Sequence, residues 1–267
     1  MKNNILSIEY IYDYNEEVYD LEVEDNHNYF ANNILVHNCS QLTLEGIIGP
    51  IHKVISTREL MDSNRVVNLD IKCLILKHPE EIRKIMNKVS YQEEVDYLVA
   101  NHARNKFIVN LALTQKGTTL VLFNLVEKHG KVLYKMAQER ANGKTIFYVS
   151  GEISVDERER IRLVMDKEEG IILFASYATL STGINIPSIE NIIFASSSKS
   201  KIRNLQSIGR GLRLKEGKKG CTLYDIADDL SYKKSTNHTL GHSAERIKVY
   251  TKEQFDIKVY NVDLNAS

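Results

Sequence analysis

The chain has 267 residues, room for one or two domains, and 43% of them are apolar, enough to build a core. No apolar run approaches the ~18 residues that cross a bilayer, and Met1-Lys2-Asn3-Asn4 leads into no signal-peptide apolar run. Cys39, Cys73 and Cys221 lie far apart with no CxxC pair, so neither a zinc site nor a disulfide framework is expected, and a reducing cytosol is the expected compartment.

The zero formal charge hides an asymmetry: residues 1–38 hold one base and eight acids, the remainder 34 bases and 27 acids, an acidic arm of −7 on a basic body of +7. In chain order, the arm reads as short strands over Ile5–Tyr12, Glu17–Glu24, Tyr29–Ala31 and Ile34–Val36, with Asn-rich turns between them. Beyond Cys39 the pattern predicts helices over Glu80–Lys88 and Tyr91–Leu113. A regular alternation follows: strand Thr118–Phe123, helix Lys128–Asn142, strand Thr145–Val149, helix Val155–Asp166, strands Gly170–Ala175 and Ile189–Ala195, helix Ile202–Leu212, and strand Gly220–Ile226. A last helix over His242–Gln254 turns Ile247 and Tyr250 inward, and Ser231–Gly241 reads as loop. Strands alternating with helices of 10–15 residues predict a parallel sheet covered on both faces.

The arm ends in His37-Asn38, followed by Cys39-Ser40. An asparagine amide can attack its own backbone carbonyl and cut the chain after itself. A histidine can serve as acid or base near neutrality, and a thiolate can receive a migrating acyl group. Tyr19-Asp20-Leu21-Glu22-Val23, His27-Asn28-Tyr29-Phe30 and Val36-His37-Asn38-Cys39 together resemble the C-terminal part of inteins, proteins that splice themselves out. The resemblance implies that Asn38 cyclises and His37 polarises the scissile carbonyl. It also implies that His27 carries protons, Asp20 helps activate the thiol, and Cys39 attacks an upstream thioester. The amino-terminal nucleophile of a whole intein is not present here, so the expectation is a C-terminal split-intein fragment of the all-β HINT type. Its N-terminal half would be a separate chain, and opposite charge would speed docking onto a basic partner.

In the body, Gln206-Ser207-Ile208-Gly209-Arg210-Gly211-Leu212-Arg213 puts Gln206, Arg210 and Arg213 at i, i+4 and i+7, one face of a helix. Two guanidiniums on one face suit the charge of a γ-phosphate in its transition state. The segment resembles motif VI of superfamily 2 helicases. Ser181-Thr182-Gly183-Ile184-Asn185 resembles their motif V, where a small hydroxyl residue and a glycine allow backbone amides to approach phosphate. Leu120–Asn124 with Glu127–Gly130 resembles motif IV, and Tyr148–Gly151 with Arg158 resembles the segment after it. Ser181, Thr182, Gly183, Asn185 and Arg158 are thus the expected nucleic-acid contacts, and Arg210, Arg213 and Gln206 the expected groups for ATP hydrolysis. Ser200-Lys201-Ile202 and Asp225-Ile226 strengthen a likeness to phage recombination and repair helicases of that superfamily.

Asn142-Gly143-Lys144-Thr145 is not read as a P-loop, because Gln138 stands where the first glycine belongs and a strand follows. Asp156-Glu157-Arg158-Glu159 opens a helix rather than ending a strand. The expected architecture is therefore an α/β RecA-like second lobe, with ATP and Mg2+ held mainly by a first lobe elsewhere. The expected divisions are 1–38 for the splicing fragment, 39–75 for the end of the first lobe and its crossing, and 76–267 for the second lobe. Splicing would make one DNA helicase. The alternative is an unspliced nucleic-acid-binding module acting as a non-covalent subunit.

Overall fold

The computed structural model describes residues 57–264, apart from 142, 152, 182–185, 187, 197–207 and 210, together with 28–31 and 34–37. The expected strands over 5–12 and 17–24 lie outside these residues, as does most of the helix expected over 202–212. Contacts divide the chain into two units, Met1–Val54 and Ile55–Ser267. In the first, β1 (Asn28–Ala31) and β2 (Ile34–His37) pair antiparallel, with Asn28 opposite His37 and Ala31 opposite Ile34.

The second unit is built on a seven-stranded sheet of β3 (Asn68–Lys77), β4 (Thr118–Phe123), β5 (Ile146–Val149), β6 (Ile172–Ser176), β7 (Ile189–Phe194), β8 (Gly220–Asp229) and β9 (Asp256–Asp263). The strands lie in the order β5-β6-β4-β7-β8-β3-β9, and every pairing is parallel. The helices are α1 (Thr57–Asp62), α2 (Glu80–Ile85), α3 (Tyr91–Ala100), α4 (His102–Thr114), α5 (Lys131–Gln138), α6 (Val155–Lys167), α7 (Tyr177–Ser181) and α8 (His238–Lys252).

Period-2 alternation gives the sheet two apolar faces. Leu120 and Leu122 of β4 join Met61 of α1, Ile161 and Met165 of α6, Tyr250 of α8, and Ile208 and Leu212 of the segment before β8 in one cluster. Val121 and Phe123 point the other way, onto Ile108, Val109 and Ala112 of α4 and Leu133 and Ala137 of α5. All six residues of β4 are buried, as a central parallel strand requires.

Four elements differ from the sequence reading. The helix expected over Tyr91–Leu113 breaks at Asn101, whose Oδ1 accepts from Arg104 N at 2.9 Å; asparagine competes for backbone donors and starts a new helix there. The helix expected from Lys128 begins with a single π-turn at Val126–Gly130 before α5. No strand was expected between Cys39 and Thr118, yet β3 pairs over its whole length with β8 and crosses the 75/76 division drawn from the sequence. The loop expected up to Gly241 ends earlier, because α8 starts at His238. Its start is capped by Glu94 of α3, which accepts from His238 N at 2.9 Å and Thr239 N at 2.7 Å.

Candidate functional site

The chain leaves β4 toward β5 and β6 on one side and reaches β7 and β8 on the other, so the strand order reverses between β4 and β7. Ligands of open α/β sheets bind outside the carboxyl ends of strands at such a reversal. A linked set of buried polar groups stands there. Asn105 Nδ2 donates to Val99 O at 2.8 Å, which leaves its Oδ1 to accept from His129 Nε2 at 3.2 Å. His129 Nδ1 then accepts from Ser196 Oγ at 3.2 Å, and Ser196 Oγ accepts from Asn124 N at 3.3 Å. The segment after β4 is thereby tied to the segment after β7.

A second link runs beneath. Arg104 Nε donates to both oxygens of Asp228, at 2.8 and 2.9 Å, and its Nη2 donates to Ala195 O at 2.9 Å, joining the ends of β7 and β8. Burial would raise the Asp228 carboxyl, but the Arg104 charge and the bonds from His78 and Arg104 outweigh it and hold it at about 2. Arg104, Asn124, Ser196 and Asp228 line a cleft closed by Tyr91 and Leu98 of α3.

His129 is fully buried, and burial, reinforced by the nearby Arg104 charge, lowers its pKa from 6.5 to about 3. The unfolded chain therefore takes up this proton first as pH falls, so stability is lost through the window from 6.5 toward 3. Each pH unit inside that window costs on the order of 1 kcal/mol. Urea midpoints at pH 7 and pH 5 are expected to fall further for the natural protein than for His129→Gln. Equal falls would remove the titration from His129. Asp228 adds little between pH 7 and pH 5, since its stabilisation is lost only as pH falls below the ordinary carboxylate value.

The segment read as motif V begins where β6 gives way to α7. Ser176 Oγ accepts from Thr179 N at 3.1 Å and lies 2.7 Å from Thr179 Oγ1, a hydroxyl cap that turns the strand into a helix. Tyr177 OH donates to Ser196 O at 3.5 Å, so this segment also reaches the end of β7. Ser181 ends α7, while Thr182, Gly183 and Asn185 lie outside the described residues. Arg158 lies in the first half of α6, and its Nε donates to Ile153 O at 3.1 Å.

Of the segment read as motif VI, Gln206 and Arg210 lie outside the described residues, and Ile208, Gly209 and Gly211 are helical. Gly211 is held against the sheet: a Cβ there would sit 2.6 Å from Cys221 Sγ and 2.7 Å from Ile192 Cδ1. Leu212 O accepts from Val67 N, just before β3, at 3.0 Å. The segment thus ends over the amino-terminal half of the sheet, with Arg213 exposed beyond it. Asn124, Ser176 and Ser196 stand at the opposite, carboxyl ends of their strands.

Residues 103–215 match the helicase conserved C-terminal domain. This part of the chain is similar to a helicase C-terminal lobe. The chain is 32% identical over 232 residues to the ATP-dependent DNA helicase uvsW of Enterobacteria phage T4, covering 82% of this chain and 46% of that protein. The crystal structure of T4 UvsW superposes with a TM-score of 0.65 at 29% identity, over 74% of this chain and 42% of that one. The DNA-bound ATP-dependent Type ISP restriction-modification enzyme LlaBIII superposes with a TM-score of 0.57 at 14% identity, over 86% of this chain and 18% of that one, and so shares the fold. The chain spans less than half the length of the uvsW relative it matches.

The second unit handles the two nucleotide-site lookalikes as ordinary structure. Lys144 Nζ donates to Gln115 O at 2.7 Å just before β5, and Asp156 and Glu157 lie in the first turn of α6 under the Ser154 cap. No cluster of three metal-ligating side chains occurs among the described residues. The splicing residues Asp20, His27, Asn38 and Cys39 lie outside the described residues, and His37 is placed by its backbone at the end of β2. Sequence reasoning gave no role to Arg104, Asp228, Ser196 or His129. Their partners lie up to 150 residues away, and only the fold brings them together.

Proposed function

We propose that this chain is a trans-splicing precursor of an ATP-dependent DNA helicase of the uvsW type. Residues 1–38 are a C-terminal split-intein fragment that meets its N-terminal half on another chain. Splicing joins Cys39 onward to a first lobe that holds ATP and Mg2+. The observation that carries the helicase half is the uvsW match, which covers most of this chain but under half of that protein. The splicing half rests on the residues themselves, His37-Asn38-Cys39 with Asp20 and His27 upstream. The β1–β2 pairing supports it, because it sets Asn28 opposite His37, the sequence neighbours of His27 and Asn38.

In this reading the amide nitrogen of Asn38 attacks its own backbone carbonyl. The bond to Cys39 breaks, a succinimide forms, and the amine of Cys39 is freed to take over the acyl group held on its sulfur. In the joined enzyme, Arg210 and Arg213 face the transferring phosphate, with Gln206 beside them. Ser181, Thr182, Gly183, Asn185 and Arg158 contact DNA. Working in the host cytoplasm follows from the phage kinship. The rival reading, a lobe acting unspliced as a non-covalent subunit, draws on the self-contained two-faced core of residues 55–267.

Mixing this chain with the matching N-terminal half is expected to yield a ligated product that continues from Cys39 and a released 38-residue arm. Asn38→Ala should stop release while a branched intermediate accumulates, and Cys39→Ala should stop ligation. Mass spectrometry showing only intact precursors, with a partner half active on other substrates, would leave the unspliced subunit as the better reading.

A further inference from the structure

We propose that Lys218 is a positioning residue for nucleotide hydrolysis, fixing the backbone from which Arg213 projects. The inference rests on the assignment of Arg210 and Arg213 to the phosphate-facing surface. Its basis is a set of three consecutive carbonyls, each held by a donor from another part of the chain. Lys218 Nζ donates to Gly211 O at 2.7 Å and to Arg213 O at 3.1 Å, and Val67 N donates to Leu212 O at 3.0 Å. These are the last carbonyls of a helical segment, the groups that lack partners within the helix and that a cation satisfies best.

The local sequence is suited to deliver that cation. Lys218 N donates to Lys215 O at 3.1 Å, closing a turn in which Gly217 has φ +80, a conformation that a side chain would strain. The turn folds Lys218 back under the helix end that it follows. Gly211 meanwhile seats the helix directly on Cys221 and Ile192, and Leu212 is buried in the core. Backbone and apolar side chain are thus immobilised around an arginine whose own side chain is exposed. A group that stabilises transition-state charge works by being held in place beforehand, and misplacement by about 1 Å can cost ~100-fold.

The test is steady-state ATP hydrolysis and DNA binding by the complete two-lobed enzyme. Lys218→Met keeps the aliphatic stem and removes the donor. It is expected to lower kcat roughly 10- to 100-fold with the KM for ATP and the DNA affinity unchanged, whereas Lys218→Arg should retain most of the turnover. A purely structural role would lower the melting temperature and raise KM and the DNA Kd together, leaving kcat per folded molecule intact; that result overturns the proposal. Should Lys218→Met fail to fold, Lys218→Leu removes the donor in its place, and an unchanged kcat there also overturns the proposal. Arg213→Ala is measured alongside. If it is inactive while Lys218→Met turns over normally, only the role of Lys218 is lost; if it too turns over normally, the assignment of the arginine surface fails and the proposal with it.

Discussion

Arg246→Ala is expected to lower the stability of the chain by about 3–5 kcal/mol, as breaking one side of a buried ion pair does. Arg246 lies on α8, and its Nε and Nη2 donate to Asp225 of β8 over 2.7–3.1 Å, with both residues almost fully buried. Tyr250 OH, one helical turn further on, donates to Asp225 Oδ2 at 2.8 Å. Removing the guanidinium leaves a carboxylate in the core with one neutral donor, and the remaining desolvation of that charge dominates the cost. Asp225→Asn with Arg246→Met should recover much of the loss, because it removes both charges. Urea unfolding at neutral pH measures each step. A loss under about 1 kcal/mol for Arg246→Ala would mean that water reaches Asp225 in the folded protein.

Arg210→Ala and Arg213→Ala, made in the joined helicase, are each expected to reduce ATP turnover on the order of 10³-fold or more while leaving DNA affinity nearly intact. The magnitude follows from role: a guanidinium that meets charge developing in the transition state is worth several kcal/mol, whereas an exposed cation elsewhere is worth under ~1 kcal/mol. The separation of effects follows from the roles proposed for the two motifs, the arginines meeting phosphate and the hydroxyl-glycine segment meeting DNA. The end of the arginine segment lies over the amino-terminal half of β3 and β8, and the network of Asn124, His129 and Ser196 lies at the carboxyl ends of β4 and β7. Substitutions at Thr182 or Gly183 should weaken DNA binding as well as turnover. Arginine variants that lose DNA binding yet keep hydrolysing ATP would reverse the two assignments.

Much of the architecture was legible in the residues alone. Alternating apolar runs and amphipathic stretches from Thr118 to Ile226 predicted a parallel sheet with two covered faces. The reason is local: a central strand such as Thr118–Phe123 has no polar side to show to water, and a helix such as Val155–Lys167 has one stripe to bury. The strands Asn28–Ala31 and Ile34–His37 were legible as well, as short apolar runs set off by asparagines. The arginine spacing and the hydroxyl-glycine turn were visible because their chemistry is carried by residues close together in sequence.

The tertiary structure alone decided the rest. Asn68–Lys77 became an inner strand because β8 and β9 flank it, partners that begin only at Gly220 and Asp256. Asn101 ended a helix because its side chain captured a backbone donor that a continuous helix would have used. The pairs Arg104–Asp228 and Arg246–Asp225, the capture of the α8 start by Glu94, and the clamp of Lys218 on Gly211 and Arg213 have no periodicity to betray them. A charged residue looks the same in sequence whether it will face water or a buried partner. Its environment is set by which strands become neighbours, and that is a property of the whole sheet.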